Sequence, residues 1–185
     1  METLLIATGV VALAELGDKT QLLALILAAR YRTPWPIVLG ILVATLANHA
    51  LAAWAGAWIG AQIPPAALKW LLAASFLAVA LWALRPDQIS EGEAQTARQF
   101  GAFVATTIAF FLAEIGDKTQ VATVVLAAKY APLWAVVVGT TLGMLLANVP
   151  VVFLGARFAD RIPLKAARIV SAAVFALLAV AVLLR

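Results

Sequence analysis

Two short stretches of this chain set carboxylates, a glycine, an ammonium and neutral oxygens inside otherwise apolar sequence. Glu15, Gly17, Asp18, Lys19, Thr20 and Gln21 form the first; Glu114, Gly116, Asp117, Lys118, Thr119 and Gln120 form the second. On a continuous helix, Glu and Asp at i and i+3 share one face, about 60° apart. The glycine between them either admits a second helix closely or lets the helix unwind and bare its carbonyls. Together the stretches offer four carboxylates ringed by hydroxyl and amide oxygens. Hard divalent cations such as Ca²⁺, Mn²⁺ and Mg²⁺ take such an oxygen shell. Four acids against two lysines leave two negative charges, which one divalent ion balances. Protons compete with a metal for the same oxygens, so metal arrival would expel protons and protonation would expel metal. The plainer reading is simple pairing, since Glu15–Lys19 and Glu114–Lys118 are i,i+4 neighbours in the favourable order. That pairing neutralises only half of the acids.

The surroundings make these charges costly. The composition is 65% hydrophobic and 12% charged, where a soluble domain has roughly a quarter of its residues charged. Apolar runs of about the 20 residues needed to cross a bilayer recur at 4–30, 35–60, 66–84, 100–128, 133–156 and 166–184. The sequence therefore predicts an all-α integral membrane protein with six transmembrane helices. Glu15, Asp18, Lys19 and their counterparts fall near the middle of the first and fourth spans. Each Asp, Lys or Arg at such a depth costs about 2.5–3.5 kcal/mol, so six unpaired ones would cost on the order of 15–20 kcal/mol. These groups must face the protein interior or water.

The chain is also a repeat. Thr8 to Tyr31 matches Thr107 to Tyr130 at a constant offset of 99 residues, and Leu-Ala-Glu-x-Gly-Asp-Lys-Thr-Gln occurs at 13–21 and again at 112–120. Trp35 pairs with Trp134, Gly40 with Gly139, Gly56 with Gly155, and Ile63-Pro64 with Ile162-Pro163. A local one-residue insertion is needed to match Ala47-Asn48 with Ala147-Asn148. The expected organisation is a three-helix repeat over 1–84, a polar linker over 85–99 and a second three-helix repeat over 100–185. Three spans is an odd number, so the copies enter the membrane with opposite polarity. Such inverted-topology repeats bring equivalent residues together near the bilayer midplane, as in secondary transporters. The linker's Asp87, Glu91 and Glu93 read as a solvated connection, with a regulatory metal contact by the three acids as the alternative.

Lesser positions are weighed against plain packing. Asn48 and Asn148 are candidate neutral metal ligands or helix–helix hydrogen-bond formers. His49 has no histidine counterpart and reads as structural or peripheral, and Met144 as a packing residue. Trp35, Trp58, Trp70 and Trp134 lie near span ends, as interfacial anchors do. Gly56-xxx-Gly60 and Gly139-xxx-Gly143 mark close helix contacts.

The net charge of +4 reports topology and not nucleic-acid binding. With both termini on the non-cytoplasmic side, Arg30, Arg32, Arg85, Arg98, Arg157, Arg161, Lys165 and Arg168 face the cytoplasm, and only Lys69, Lys129 and Arg185 oppose them. The absence of cysteine excludes disulfides, thiolate metal sites and cysteine nucleophiles. Ala12-Leu13-Ala14 resembles a signal-cleavage site, but no basic residue precedes it and cleavage would halve a helix retained in the second copy, so no processing is expected.

Two copies of Glu-x-Gly-Asp-Lys-Thr in six spans resemble the Gdt-type family of Ca²⁺ and Mn²⁺ transporters, which includes transmembrane protein 165. The resemblance covers essentially the whole chain, with no departure inside either motif. It implies secondary transport of Mn²⁺ or Ca²⁺ against protons, with no other cofactor. Bacterial relatives resemble manganese exporters of the inner (plasma) membrane, and the lack of a long N-terminal extension suits such a form. The family's acids fall on Glu15, Asp18, Glu114 and Asp117, with Lys19, Thr20, Lys118 and Thr119 completing the motifs. The enzyme alternative is an intramembrane aspartyl protease built on Gly17-Asp18 and Gly116-Asp117, although its Gly-x-Gly-Asp pattern is not met because Glu stands at the first position. A non-transporting membrane subunit and a cation channel are the remaining alternatives.

Overall fold

The structure, a computed structural model, describes residues 1–84, 101–154 and 164–184. The expected linker over 85–99, and with it Gly155, Arg157, Arg161, Ile162 and Pro163, lies outside the described residues. Those residues form eight helices: α1 Glu2–Ala14, α2 Lys19–Tyr31, α3 Pro34–Gln62, α4 Pro65–Ala83, α5 Ala102–Glu114, α6 Lys118–Lys129, α7 Leu133–Leu154 and α8 Leu164–Leu184. Among them α3, α4 and α7 are long and apolar enough to cross a membrane.

The expected first and fourth spans are each two helices. α1 gives way to α2, and α5 to α6, across the glycines at 17 and 116, whose φ angles are +76° and +72°. Left-handed backbone is costly for any residue with a Cβ, so glycine is what permits the break. Proline at the first position of α3 and of α4 starts those helices where its missing N–H costs nothing. Arg32, left-handed at φ 54°, closes α2 with its N–H on the Ala28 carbonyl.

α3 shows how these helices distribute polarity. Trp35, Leu39, Val43, Leu46, Leu51, Trp54 and Trp58 are exposed, while Gly40, Ala44, Thr45, Asn48, His49 and Ala52 are buried. Large apolar side chains outside and polar ones inside invert the arrangement of a water-soluble helix.

Each repeat's first helix lies along the other repeat's long helix: α1 on α7, and α5 on α3. Glycines make the approach possible. A Cβ on Gly139 would stand 2.7 Å from the Leu4 carbonyl oxygen, and one on Gly143 2.6 Å from that of Thr8. Gly56 and Gly60 lie in the same way against the Val124 and Ala128 backbone of α6, so both expected small-residue contacts form.

The buried stripes of α3 and α7 correct one detail of the repeat. Ile37, Gly40, Ile41, Ala44, Thr45, Asn48, His49, Ala52 and Ala53 match Val136, Gly139, Thr140, Gly143, Met144, Ala147, Asn148, Val151 and Val152, all at an offset of 99. No insertion is present. Asn148 therefore corresponds to His49, and Asn48 to Ala147. Side-chain identity suggested the other pairing, but a one-residue slip would rotate the helix by about 100° and turn the stripe away from the core.

Candidate metal centre

The two helix breaks have the same internal bonding. The Asp18 N–H donates to the Glu15 carbonyl and the Asp117 N–H to the Glu114 carbonyl, both at 3.1 Å. The Gly17 N–H donates to Gln21 Oε1 at 2.9 Å, and the Gly116 N–H to Gln120 Oε1 at 2.7 Å. Each glutamine thus caps the amide that its own break leaves without a helical acceptor. The Gln21 amide nitrogen donates to the Ala147 carbonyl at 3.1 Å, and that of Gln120 to Asn48 Oδ1 at 3.4 Å. These are again equivalent positions at an offset of 99.

The breaks alter what the motif residues can do. Because Glu15 follows the end of α1 and Asp18 precedes the start of α2, they do not share one helix face, and the i,i+3 relation expected of a continuous helix is lost. The aspartates take the N-cap positions of α2 and α6, where the positive helix end favours negative charge. Asp117 Oδ2 accepts from the Thr119 N–H at 3.4 Å. Thr119 Oγ1 donates to Glu114 Oε2 at 2.9 Å, and Thr20 Oγ1 makes the matching bond to Glu15 Oε2.

The lysines pair across the repeats. Lys118 Nζ lies 2.8 Å from Asp18 Oδ1, and Lys19 Nζ 3.9 Å from Asp117 Oδ1. The glycine break separates each glutamate from the following lysine's helix, so the i,i+4 geometry expected of a continuous helix does not hold.

Glu15, Glu114 and Asp117 each place a carboxylate oxygen within 4.8 Å of the others'. Oxygens bound to one Ca²⁺ at 2.3–2.6 Å stand at most about 5 Å apart, so this trio fits the span of a single ion. All three are buried, and Oε1 of both Glu15 and Glu114 lacks a hydrogen-bond partner. Buried acceptors without donors are rare in native proteins, and these two are available to a cation or a water.

The other sequence-selected residues surround this trio. Asp18 is held by Lys118. Asn148 Nδ2 lies 3.4 Å from Glu15 Oε2 and its Oδ1 is without a partner. Asn48 Nδ2 donates to the Phe111 carbonyl at 2.9 Å, tying α3 to α5. His49, which the sequence suggested was structural or peripheral, is not peripheral: it is fully buried with Nε2 3.8 Å from Glu114 Oε2. Holding the offset at 99 through this region would have exposed it, since 49 then pairs with 148 as Glu15 pairs with Glu114. Met144 is buried and its sulfur is 3.0 Å from Asn148 Nδ2.

Comparison with known proteins agrees with this chemistry. Residues 3–91 and 102–185 match the family model described as divalent cation/proton antiporter GDT1. Over 182 residues the chain is 56% identical to a Vibrio cholerae protein named "Putative manganese exporter", covering 98% of this chain and 90% of the relative. It is 32% identical over 190 residues to a GDT1-like protein of Synechocystis, covering 92% of this chain and 91% of the relative. No solved structure matches. The family consists of transporters, which sets the aspartyl-protease alternative aside. With doubled Glu-x-Gly-Asp-Lys-Thr motifs converging on one carboxylate cluster and a family match over nearly its whole length, this chain belongs to the GDT1 family of divalent cation/proton antiporters.

Proposed function

We propose that the protein exports Mn²⁺ from the cytoplasm in exchange for protons, by alternating access to the cluster of Glu15, Glu114 and Asp117. The observation that carries this reading is the convergence of three buried carboxylates, drawn from both repeats, within 4.8 Å. Metal displaces protons from these oxygens on one side of the membrane, and protons displace metal on the other. Gln21, Gln120, Asn48 and Asn148 hold or extend the polar shell, and Asp18 with Lys118 anchors one repeat to the other. The 56% identical relative named as a manganese exporter supports Mn²⁺ as cargo, with Ca²⁺ the second candidate.

In this reading α1–α2 and α5–α6 each cross the membrane as a broken span, giving six spans in two inverted three-helix repeats in the inner membrane, with both termini on the non-cytoplasmic side. The reciprocal contacts at an offset of 99 support the inverted repeat. Discontinuous helices with their ends at a midplane ion site are a recurrent transporter device.

The test is flux in proteoliposomes of Mn²⁺ and of Ca²⁺, with and without an imposed pH gradient, beside Glu114→Gln. Flux that follows the gradient and is lost in the variant is the expected result, and the relative rates name the ion. Flux insensitive to the gradient would favour a channel. No flux of either ion would favour a non-transporting subunit.

A further inference from the structure

We infer that His49 is a direct ligand of the transported ion, adding a nitrogen to the carboxylates and biasing the centre toward first-row transition ions over Ca²⁺. The inference deepens the proposed transport function and rests on it.

Three observations converge on this imidazole. It is fully buried, with 0% exposure, yet neither Nδ1 nor Nε2 has a hydrogen-bond partner. A buried histidine that serves packing or architecture has at least one ring nitrogen satisfied, because an unmade bond there costs free energy. Secondly, Nε2 stands 3.8 Å from Glu114 Oε2. That is too long for a hydrogen bond, but donors each about 2.1 Å from one ion stand roughly 3.0–4.2 Å apart; the imidazole thus stands at the Glu114 edge of the trio that lies within 4.8 Å, where a small side-chain movement brings it onto the same ion. Thirdly, its repeat-equivalent has the equivalent neighbour. Asn148 Nδ2 lies 3.4 Å from Glu15 Oε2, and both residue pairs are related by the offset of 99. The two copies thus put a different side chain beside the same glutamate, an imidazole in one and an amide in the other.

The chemical consequence follows from donor type. Ca²⁺ and Mg²⁺ take oxygen ligands almost exclusively, whereas imidazole suits transition ions. An all-carboxylate centre accepts Ca²⁺ and Mn²⁺ alike, and replacing one donor by neutral nitrogen separates them. A symmetric pair of asparagines at 49 and 148 would leave the site without that distinction.

The experiment uses the full-length protein, freed of any affinity tag, with Mn²⁺ bound. His49 is the single histidine of the chain, so pulsed EPR of the bound Mn²⁺ reads it without ambiguity. Directly coordinated ¹⁴N modulation is expected in the wild type and its loss in His49→Asn. In parallel, competitive binding of Mn²⁺ and Ca²⁺ should show His49→Asn weakening Mn²⁺ by about tenfold, the lower end of the effect of altering a metal site, with Ca²⁺ changed less than about twofold. Bound Mn²⁺ with no ¹⁴N coupling in the wild type overturns the ligand role and leaves the transport reading standing. So does an equal loss of both ions in the variant. Absence of Mn²⁺ binding overturns both readings together. The wild-type spectrum decides the matter even where the variant does not fold.

Discussion

Lys118 Nζ sits 2.8 Å from Asp18 Oδ1, joining the second repeat's motif to the first in a fully buried ion pair. Its counterpart, Lys19 with Asp117, is longer at 3.9 Å, and Lys19 keeps 17% of its side chain accessible. The same residues at the same motif positions thus make a tight and a loose link. Removing one member of a buried pair strands the other, which costs about 3–5 kcal/mol. Lys118→Met is therefore expected to lower stability by that amount in detergent unfolding, and Lys19→Met by clearly less. Adding Asp18→Asn to Lys118→Met should recover most of the loss. Equal effects of the two single variants would contradict the asymmetry.

Gly116 adopts φ +72° with nothing within 4 Å of an added Cβ. Gly116→Ala is then a purely conformational test of the helix break, expected to cost about 1–2 kcal/mol. Gly116→Asn should cost less, since asparagine tolerates left-handed backbone. Thermal unfolding of the two variants reads the difference. An alanine variant as stable as wild type would mean the break is not held at this conformation.

At Gly56 an added Cβ would collide with the Val124 backbone carbonyl, whereas at Gly9 it meets nothing within 4 Å. Gly56→Ala should force α3 and α6 apart and sharply reduce folded yield. Gly9→Ala, inside α1, should be neutral or stabilising by up to about 1 kcal/mol. Folded yield and unfolding midpoint measured side by side separate contact geometry from helix propensity.

Glu15→Gln and Asp117→Asn keep side-chain size while each removes a carboxylate from the cluster. Both are expected to abolish vesicle transport while the protein still inserts and folds. Wild-type flux from either would remove that residue from the proposed centre.

Mn²⁺ and protons compete for the same carboxylate oxygens, so metal binding should acidify a weakly buffered solution of the protein. A pH-sensitive dye during Mn²⁺ titration measures it. The signal should fall in Glu114→Gln, which offers one carboxylate fewer, and an unchanged pH on metal saturation would argue against proton coupling.

That the two motifs would be buried was legible in the sequence, because carboxylates and lysines in apolar stretches are too costly to leave facing lipid and here occur twice. All-helical architecture, the repeat and the small-residue contacts at Gly56 and Gly139 could be read for similar reasons, since hydropathy, identity and glycine spacing are local properties. Partner choice was not local. Spacing alone favoured Lys19 with Glu15, but Gly17 at φ +76° ends the helix between them, and the chain crossing brings Lys118 to Asp18 instead. Likewise the sequence matched Asn48 to Asn148 by identity, and only the buried faces of α3 and α7 show that His49 occupies the equivalent place. The residue types alone determined that this chain must bury the acids of its two motifs. Tertiary structure decided that Lys118 meets Asp18, that Glu15, Glu114 and Asp117 converge, and that an imidazole stands beside Glu114, because these depend on distances between segments far apart in the sequence.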